Sequence, residues 1–336
     1  MKYPKVYILL INYNGWEDTI DCLNSLRNAT YPNFHVVVLD NASKDDSVRK
    51  IKEWTFKIGI PLSEYILNSR NFMLKKLSEN PILQHGLKRI ELIRSDSNLG
   101  FCAGNNIGME FGTRVEADYF LVLNNDTTCE PTFLEPMVHA AEARADVGLI
   151  GGIICYHDDP NTIWWAGGTF NLFIEMKRNG AIQTLDNIKH KDIFETDWIT
   201  GCMMLIPRKI FESVGGFDEE FFIWSEDWDI SLRVRKKGYK LLVVPSAKIY
   251  HKIGKSLGIV TPLCHYYATR NKLLLRKKHY NWIMRMVSFI IWFIPTRVVR
   301  YTQFIIQGRY DLLHAGFCAI RDYFLGRKGK WNQHAE

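Results

Sequence analysis

Four runs of apolar residues along the chain lack polar alternation and each leads into a short turn carrying amides or a carboxylate. Val6 to Ile11 closes on Asn12-Tyr13-Asn14-Gly15, and His35 to Leu39 closes on Asp40-Asn41. Arg89 to Ile93 leads to Asn98-Leu99-Gly100, and Tyr119 to Leu123 ends at Asn124-Asn125-Asp126. Continuous apolar runs of this length predict strands buried on both faces. Helical spacing lies between them. Trp16 to Arg27 puts Ile20, Leu23 and Leu26 on one face, and a helix to about Phe111 follows Gly100. Ser43 stands where it can cap a further helix, with Asp45 and Asp46 in a first turn that favours acids. Strand alternating with helix predicts a parallel sheet covered by helices, with ligands bound beyond the carboxyl ends of the strands. The four polar clusters fall at those ends. Asn and Asp are ordinary turn residues at any one of them; their recurrence at all four reads as a binding site.

Residues 54–88 interrupt the alternation and read as a helical insertion, from the mixed spacing of Phe72, Leu74, Leu77 and Leu87. After Gly148 the pattern becomes β-like and aromatic, with Gly-rich turns. Glu226 to Arg235 returns to a helix, and Lys240 to Val244 and Ile249-Tyr250 read as short strands.

Charge divides the chain more sharply than its total implies. The net charge of +7 over 336 residues conceals a segment from Tyr266 to Glu336 with 13 Lys and Arg against three acids. The remainder is slightly acidic. A basic, aromatic segment fits an anionic partner such as a membrane surface, nucleic acid or a phosphorylated substrate. The seven cysteines include no C-x-x-C pair, which fits a reducing compartment and neither a disulfide framework nor a zinc ribbon. The first residues carry no charged-then-apolar leader, so no signal peptide is expected. No uninterrupted apolar stretch reaches ~18 residues, and Val287 to Pro295 is too short to span a bilayer, so a surface-lying helix pair is expected there.

Three places carry candidate chemistry. Asp126, a carboxylate at a strand end flanked by amides, suits a hard divalent cation that also meets phosphate oxygens. Glu226, Asp227 and Asp229 open a helix among aromatic residues, including Trp224. Acids there can serve as caps alone, but a carboxylate partly removed from water gains the raised pKa of a general base. His251 follows a strand that returns from that helix, a placement compatible with metal binding.

The ordered set I8-L-L-I-N-Y-N14, L39-D-N-A-S-K-D-D-S47, N98-L-G-F-C-A-G-N-N106, L123-N-N-D-T127, G201-C-M-M-L-I-P-R208, G215-G-F-D-E-E-F-F222, E226-D-W-D229 and H251 resembles the family 2 glycosyltransferases, and within them the rhamnosyltransferase-like branch. The likeness runs collinearly over roughly residues 3–256. It implies an α/β GT-A fold with a mixed, mostly parallel sheet and a C-terminal helical segment. It also implies a nucleoside-diphosphate sugar donor, a divalent cation (Mg²⁺ or Mn²⁺) and inversion at the anomeric carbon. By the same resemblance Asn12 and Asn14 lie near the nucleoside, and Asp40 hydrogen-bonds the pyrimidine. Asn41, Asn98, Gly100, Asn105, Asn124 and Asn125 line the donor groove, and Gly100 permits close backbone approach. Asp126 is the metal-binding acid of a D-x-D motif whose first position is Asn124 here, and His251 is a further metal ligand. Asp227 is the catalytic base beside Glu226, while Trp224, Asp229 and Arg270 meet the acceptor.

The expected architecture is a transferase domain over 1–262 and a basic helical region over 263–336 attached to an anionic membrane surface. The expected donor is a dTDP- or UDP-sugar, and the expected acceptor a saccharide or lipid-linked saccharide. The expected location is peripheral, on the cytoplasmic face of the membrane. A nucleotidyltransferase or dehydrogenase is disfavoured, because the first strand opens onto Asn12-Tyr13-Asn14-Gly15 and not a Gly-rich phosphate loop. A non-catalytic nucleic-acid or membrane binder is disfavoured by Asp126 and the Glu226-Asp227 pair, which would repel an anion; no nucleic-acid partner is expected.

Overall fold

A computed structural model describes residues 3–68, 73–80, 89–171, 175–178, 184–185, 192–252 and 261–332. The amino-terminal half alternates strand and helix: β1 (Val6–Asn12), α1 (Trp16–Leu26), β2 (Phe34–Asp40), α2 (Ser47–Ile58), β3 (Leu62–Asn68), β4 (Met73–Asn80), β5 (Ile90–Ser95), α3 (Gly100–Arg114) and β6 (Tyr119–Leu123). Then come β7 (Thr127–Cys129), α4 (Leu134–Glu142), β8 (Val147–Tyr156), β9 (Ile163–Trp165), β10 (Gly168–Asn171), β11 (Glu175–Arg178), β12 (Phe194–Glu195) and β13 (Met203–Pro207). The chain continues through α5 (Arg208–Val214), α6 (Glu226–Lys236), β14 (Lys240–His251), α7 (Pro262–His279), α8 (Trp282–Ser288), a π-helical turn over Phe289–Phe293, α9 (Ile294–Ile306) and α10 (Tyr310–Phe324).

The main sheet has the order β12-β14-β8-β13-β6-β1-β2-β5-β3-β4, with β7 beside β14 and β9 beside β8. β1 pairs in parallel with β2 and β6, and β5 with β2 and β3; β13 runs antiparallel between β6 and β8. The central strands are buried along nearly their whole length, as their unbroken apolar runs require. Parallel register puts Asn12 beside Asp40, so the first two polar clusters meet at one end of the sheet.

Three expectations need correction. Residues 54–88 are not a helical insertion. Trp54 belongs to α2, and β3 and β4 then form an antiparallel pair at the sheet edge; residues 69–72 and 81–88 lie outside the described residues. Met73 and Leu77 are exposed while Lys75, Lys76 and Glu79 share their strand, a charged edge that discourages pairing with another chain. Mixed apolar spacing there reflects a half-solvated strand. Ser43 caps no helix, since α2 begins after Asp46. Lys240–His251 is one strand, with an irregularity between Val244 and Lys248.

The basic region is not wholly separate from the body. Leu274 and Leu275 of α7 join the main core, while Tyr266 and Tyr267 pack with Ala315, Cys318 and Ala319 of α10. The segment Trp282–Ile306 is one helical stretch of 25 residues, long and apolar enough by length and composition to cross a membrane. The helix is longer than the Val287–Pro295 run implies, because the polar residues that break the apolar run do not break the helix. Pro295 is accommodated beside the π turn, where it lacks an N–H and cannot continue the regular ladder.

Candidate active site

The carboxyl ends of β1 and β2 are tied by a buried network. Asn12 Nδ2 donates to Asp40 Oδ1 (2.8 Å) and Ser43 Oγ (3.0 Å), and Asn12 Oδ1 accepts from Thr19 Oγ1 (2.8 Å). Asn125 Nδ2 donates to the same Thr19 hydroxyl (2.9 Å). Ser43 N donates to Asp40 Oδ2 (3.1 Å), and Asn14 N to Ser43 Oγ (2.9 Å). Asn12 is fully buried, so it orients Asp40 and presents no free face to a ligand. Asn14, at φ +51°, is exposed at the rim. Thr19 joins this network from an ordinary helix position that gave no signal in the sequence, and Ser43 joins it from the turn where the sequence suggested only a helix cap.

Asn41 is also buried: its amide bridges Asn98 Oδ1 and the Gly100 carbonyl (both 3.2 Å), and its oxygen accepts from Leu99 N (2.8 Å). Asn105 is buried within α3 and donates to the Phe101 carbonyl. Gly100 has φ +78°, and an added Cβ would lie 2.5 Å from Phe222 Cδ2 and 2.6 Å from the Phe222 carbonyl oxygen. The close neighbour of Gly100 is therefore the loop before α6. The Phe222 carbonyl accepts from the amides of Phe101 (2.8 Å) and Cys102 (3.2 Å), occupying donors at the start of α3. Asn41, Asn105 and Gly100 are thus buried scaffold, whereas Asn98, Asn124 and Asn125 are only half-buried.

Asp126 and His251 are brought together by the pairing of β7 with β14, which sets His251 opposite Thr127. His251 Nε2 lies 3.0 Å from Asp126 Oδ1. That oxygen is buried without a hydrogen bond, as is His251 Nδ1. A carboxylate oxygen and an imidazole nitrogen at this spacing are two ligands of the kind a divalent cation takes. Among the described residues no third His, Cys, Asp or Glu joins them, so a cation there needs oxygens from its substrate or from water. The residues fit the group in this partial sense, in keeping with Asn124 at the first position of the acidic motif.

Glu226 and Asp227 open α6 after a loop with three non-glycine residues at positive φ: Phe222 (+66°), Trp224 (+66°) and Ser225 (+71°). Such conformations are unfavourable for residues with a Cβ and persist only where surroundings enforce them. Asp227 is half-buried and accepts backbone hydrogen bonds from Trp228 N (2.9 Å) and Gly201. Burial raises its pKa to about 7 against those hydrogen bonds. Glu226 is buried, and burial together with the neighbouring Asp227 charge raises its pKa far above the usual carboxylate range. The charge of one carboxyl raises the pKa of the other, so the pair titrates as a unit. Gly201-Cys202 links the two halves of the site: Gly201 meets Asp227, and the Cys202 carbonyl accepts from Asn124 N (3.0 Å).

Two expected acceptor residues are placed elsewhere. Asp229 is 1% exposed and accepts from Arg233 Nε (2.7 Å) and His279 Nε2 (2.8 Å). Burial alone would raise its carboxyl, but His279 and Arg233 more than offset this and hold it below the usual range. Arg270 is likewise 1% exposed, and its guanidinium binds the carbonyls of Glu220, Phe221 and Gly329. Neither has a free face for an acceptor, because each satisfies a partner distant in sequence. Trp224 is 38% exposed beside the carboxylate pair and remains available.

The buried Glu226 makes stability depend on pH. An acid whose pKa is raised on folding holds its proton in the folded state after the unfolded chain has lost it, so stability falls as pH rises from the ordinary Glu range. Glu226→Gln removes this loss. Differential scanning calorimetry should show a higher Tm for the variant, with a larger gain at pH 8 than at pH 5; an equal gain at both would contradict it.

Comparison with known proteins follows the same lines. Residues 119–320 match the family described as glycosyl transferase family group 2, and residues 7–77 match glycosyl transferase family 2. The dTDP-rhamnosyl transferase RfbF of Shigella flexneri is 24% identical over 246 residues, covering 70% of this chain and 78% of the relative. The N-acetylglucosaminyl-diphospho-decaprenol L-rhamnosyltransferase of Mycobacterium tuberculosis is 25% identical over 217 residues, covering 57% of this chain and 69% of the relative. Among solved structures, the mannosyltransferase PcManGT from Pyrobaculum calidifontis in complex with GDP-Man and Mn²⁺ superposes with a TM-score of 0.58 at 12% identity, over 98% of this chain and 89% of that one. GalNAc-T7 with UDP, GalNAc and Mn²⁺ gives 0.55 at 15% identity, over 86% of this chain and 57% of that one. These likenesses establish the GT-A fold.

Proposed function

From a chain that belongs to the family 2 glycosyltransferases, we propose a rhamnosyltransferase that moves the sugar from dTDP-rhamnose to a hydroxyl of a lipid-linked saccharide, with inversion, in the synthesis of a surface polysaccharide or glycolipid. The names of the two rhamnosyl-transferring relatives support the sugar. The observation that carries the chemistry is the half-buried Asp227 beside the buried Glu226 at the head of α6.

Asp227 accepts the proton of the acceptor hydroxyl while that oxygen bonds to the anomeric carbon. The bond from the anomeric carbon to the diphosphate breaks, and its electron pair leaves with the nucleoside diphosphate. Glu226, held protonated, keeps the pair from carrying two charges. Trp224 offers an exposed aromatic face to the acceptor. Asp40, oriented by Asn12 and Ser43, receives the pyrimidine, and Asn14, Asn98, Asn124 and Asn125 border the donor. Asp126 and His251 hold a divalent cation, Mg²⁺ or Mn²⁺, which when bound supplies positive charge for the departing diphosphate. Thermal-shift measurement tests the donor, since a ligand that binds the folded state raises Tm. With Mn²⁺, dTDP-rhamnose should raise Tm more than GDP-mannose; no shift with any nucleotide sugar would contradict the proposal.

On this reading residues 1–262 form the transferase domain and 263–336 attach it to the cytoplasmic face of a membrane. The outward side of Trp282–Ile306 exposes Ile283, Met286, Ile290, Ile294 and Val298, spaced three or four residues apart. Tyr310, Phe317 and Phe324 repeat every seven residues along α10 and are also exposed. Arg297 is buried and donates to Thr269 Oγ1 of α7 (3.2 Å), tying one side of the long helix to the body. A helix bound along one side to protein and apolar on the other suits the plane of a bilayer surface, with basic flanks meeting anionic headgroups. The protein should sediment with anionic liposomes at low salt and be released as salt rises; no binding at low salt would contradict this attachment.

A further inference from the structure

The strained loop before Asp227 is held by α7, which follows it by some forty residues. Asn271, in the middle of α7, directs Nδ2 at three carbonyls within this one loop, those of Phe221 (2.9 Å), Ile223 (2.7 Å) and Trp224 (2.7 Å). Its side-chain oxygen accepts from Arg270 Nε (3.0 Å), and Arg270 Nη2 reaches the carbonyls of Glu220 and Phe221 (3.1 Å each). Asn271 is fully buried, so water cannot replace it at these carbonyls. Of the carbonyls they grip, that of Trp224 belongs to a residue at positive φ, and those of Phe221 and Ile223 flank Phe222, which is another. Further along α7, His279 binds Asp229 in the first turn of α6 (2.8 Å), and Lys278 pairs with Asp218 (2.6 Å) and Glu220 (2.7 Å). Tyr267 stacks on Phe222 with ring centroids 5.4 Å apart. One helix thus grips the segment carrying the carboxylate pair on both sides of it.

We propose that Asn271 is a positioning residue for the catalytic base: through the carbonyls of the 221–224 loop it fixes where Asp227 stands, and it touches neither substrate. The inference rests on Asp227 being the base. Asn271 supplies only two hydrogens, shared among three carbonyls, so no other side chain of its size substitutes fully. Aspartate at this position has the same shape but only acceptors, and faces the carbonyls with repulsion. The loop would relax from its strained conformation, displacing the base by a distance that matters: a misplacement of about 1 Å costs on the order of 100-fold in rate. Among the described residues, Asn271 itself contacts none of the turns that follow β1, β2 and β6; the loop meets the start of α3 only through Phe222.

The test is a split between kcat and donor affinity in the full chain. Nucleotide release gives kcat, and calorimetric titration with dTDP-rhamnose and Mn²⁺ gives donor affinity. Asn271→Asp should lower kcat about 100-fold while leaving donor affinity unchanged. Asn271→Ser, whose hydroxyl donates one hydrogen bond, should fall between it and the wild type. An unchanged kcat in Asn271→Asp overturns the proposal. So does parallel loss of kcat and donor affinity in both variants, which marks a residue holding the fold as a whole. Asp227→Asn in the same assay separates the two readings: normal turnover there overturns base and clamp together. Loss of turnover there with a normal Asn271→Asp overturns the clamp and leaves the base standing.

Discussion

Asp227→Asn should lose turnover by about 10²–10⁴-fold, the usual contribution of a positioned general base, with donor affinity unchanged. The substitution is close to isosteric. The side-chain oxygen that accepts from Trp228 N is retained, so the head of α6 keeps its geometry. What disappears is the ability to take a proton. Because burial raises the Asp227 carboxyl to about 7, the wild-type enzyme should show kcat/KM rising with pH through neutrality, as the base loses its proton before substrate arrives. The apparent value belongs to the Glu226–Asp227 pair as a unit. Nucleotide release at saturating donor, measured between pH 5 and 9, checks both parts. Retained turnover in pure Asp227→Asn, or a flat acid limb in the wild type, would remove Asp227 from the role and direct attention to Glu226.

Asp126→Ala should abolish the metal-dependent part of donor binding. Its Oδ1 accepts no hydrogen bond and lies 3.0 Å from His251 Nε2, and among the described residues no third His, Cys, Asp or Glu joins the pair. Even outer-shell changes at metal sites cost 10–100-fold, so loss of a direct ligand from a two-residue site should cost at least about 100-fold in donor affinity measured with Mn²⁺. With chelator present, wild type and variant should bind donor alike. His251→Ala should behave the same way. Unchanged donor affinity with Mn²⁺ would refute the role of both residues.

The sequence made the sheet and the carboxylate pair legible for physical reasons. Strands buried on both faces need unbroken apolar runs, and β1, β2 and β6 show short ones rich in β-branched and aromatic residues and closed by turn residues. Glu226 and Asp227 stood out because acids opening a helix among aromatic residues are partly removed from water, which raises a carboxyl's pKa towards that of a general base. Less was legible where one residue type serves two purposes. Asn12 and Asn14 are two residues apart, yet one is buried scaffold and the other is exposed rim; composition cannot separate them. Asp229 read as a further free carboxylate because its partner His279 lies 50 positions away. Arg270 read as an acceptor residue because a buried arginine bound to carbonyls carries no local signature. The edge pair β3–β4 was missed because a half-solvated, charged strand loses the apolar run that marks its neighbours.

The central claim is a single displacement at the anomeric carbon of a nucleotide sugar, with Asp227 as the only catalytic proton acceptor and no enzyme nucleophile. Proton NMR of the glycoside formed from dTDP-rhamnose, with Mn²⁺ and a lipid-linked acceptor, reads that event directly. The account predicts one nucleoside diphosphate released per sugar transferred and an anomeric configuration opposite to that of the donor. A product with the donor's configuration retained would contradict it.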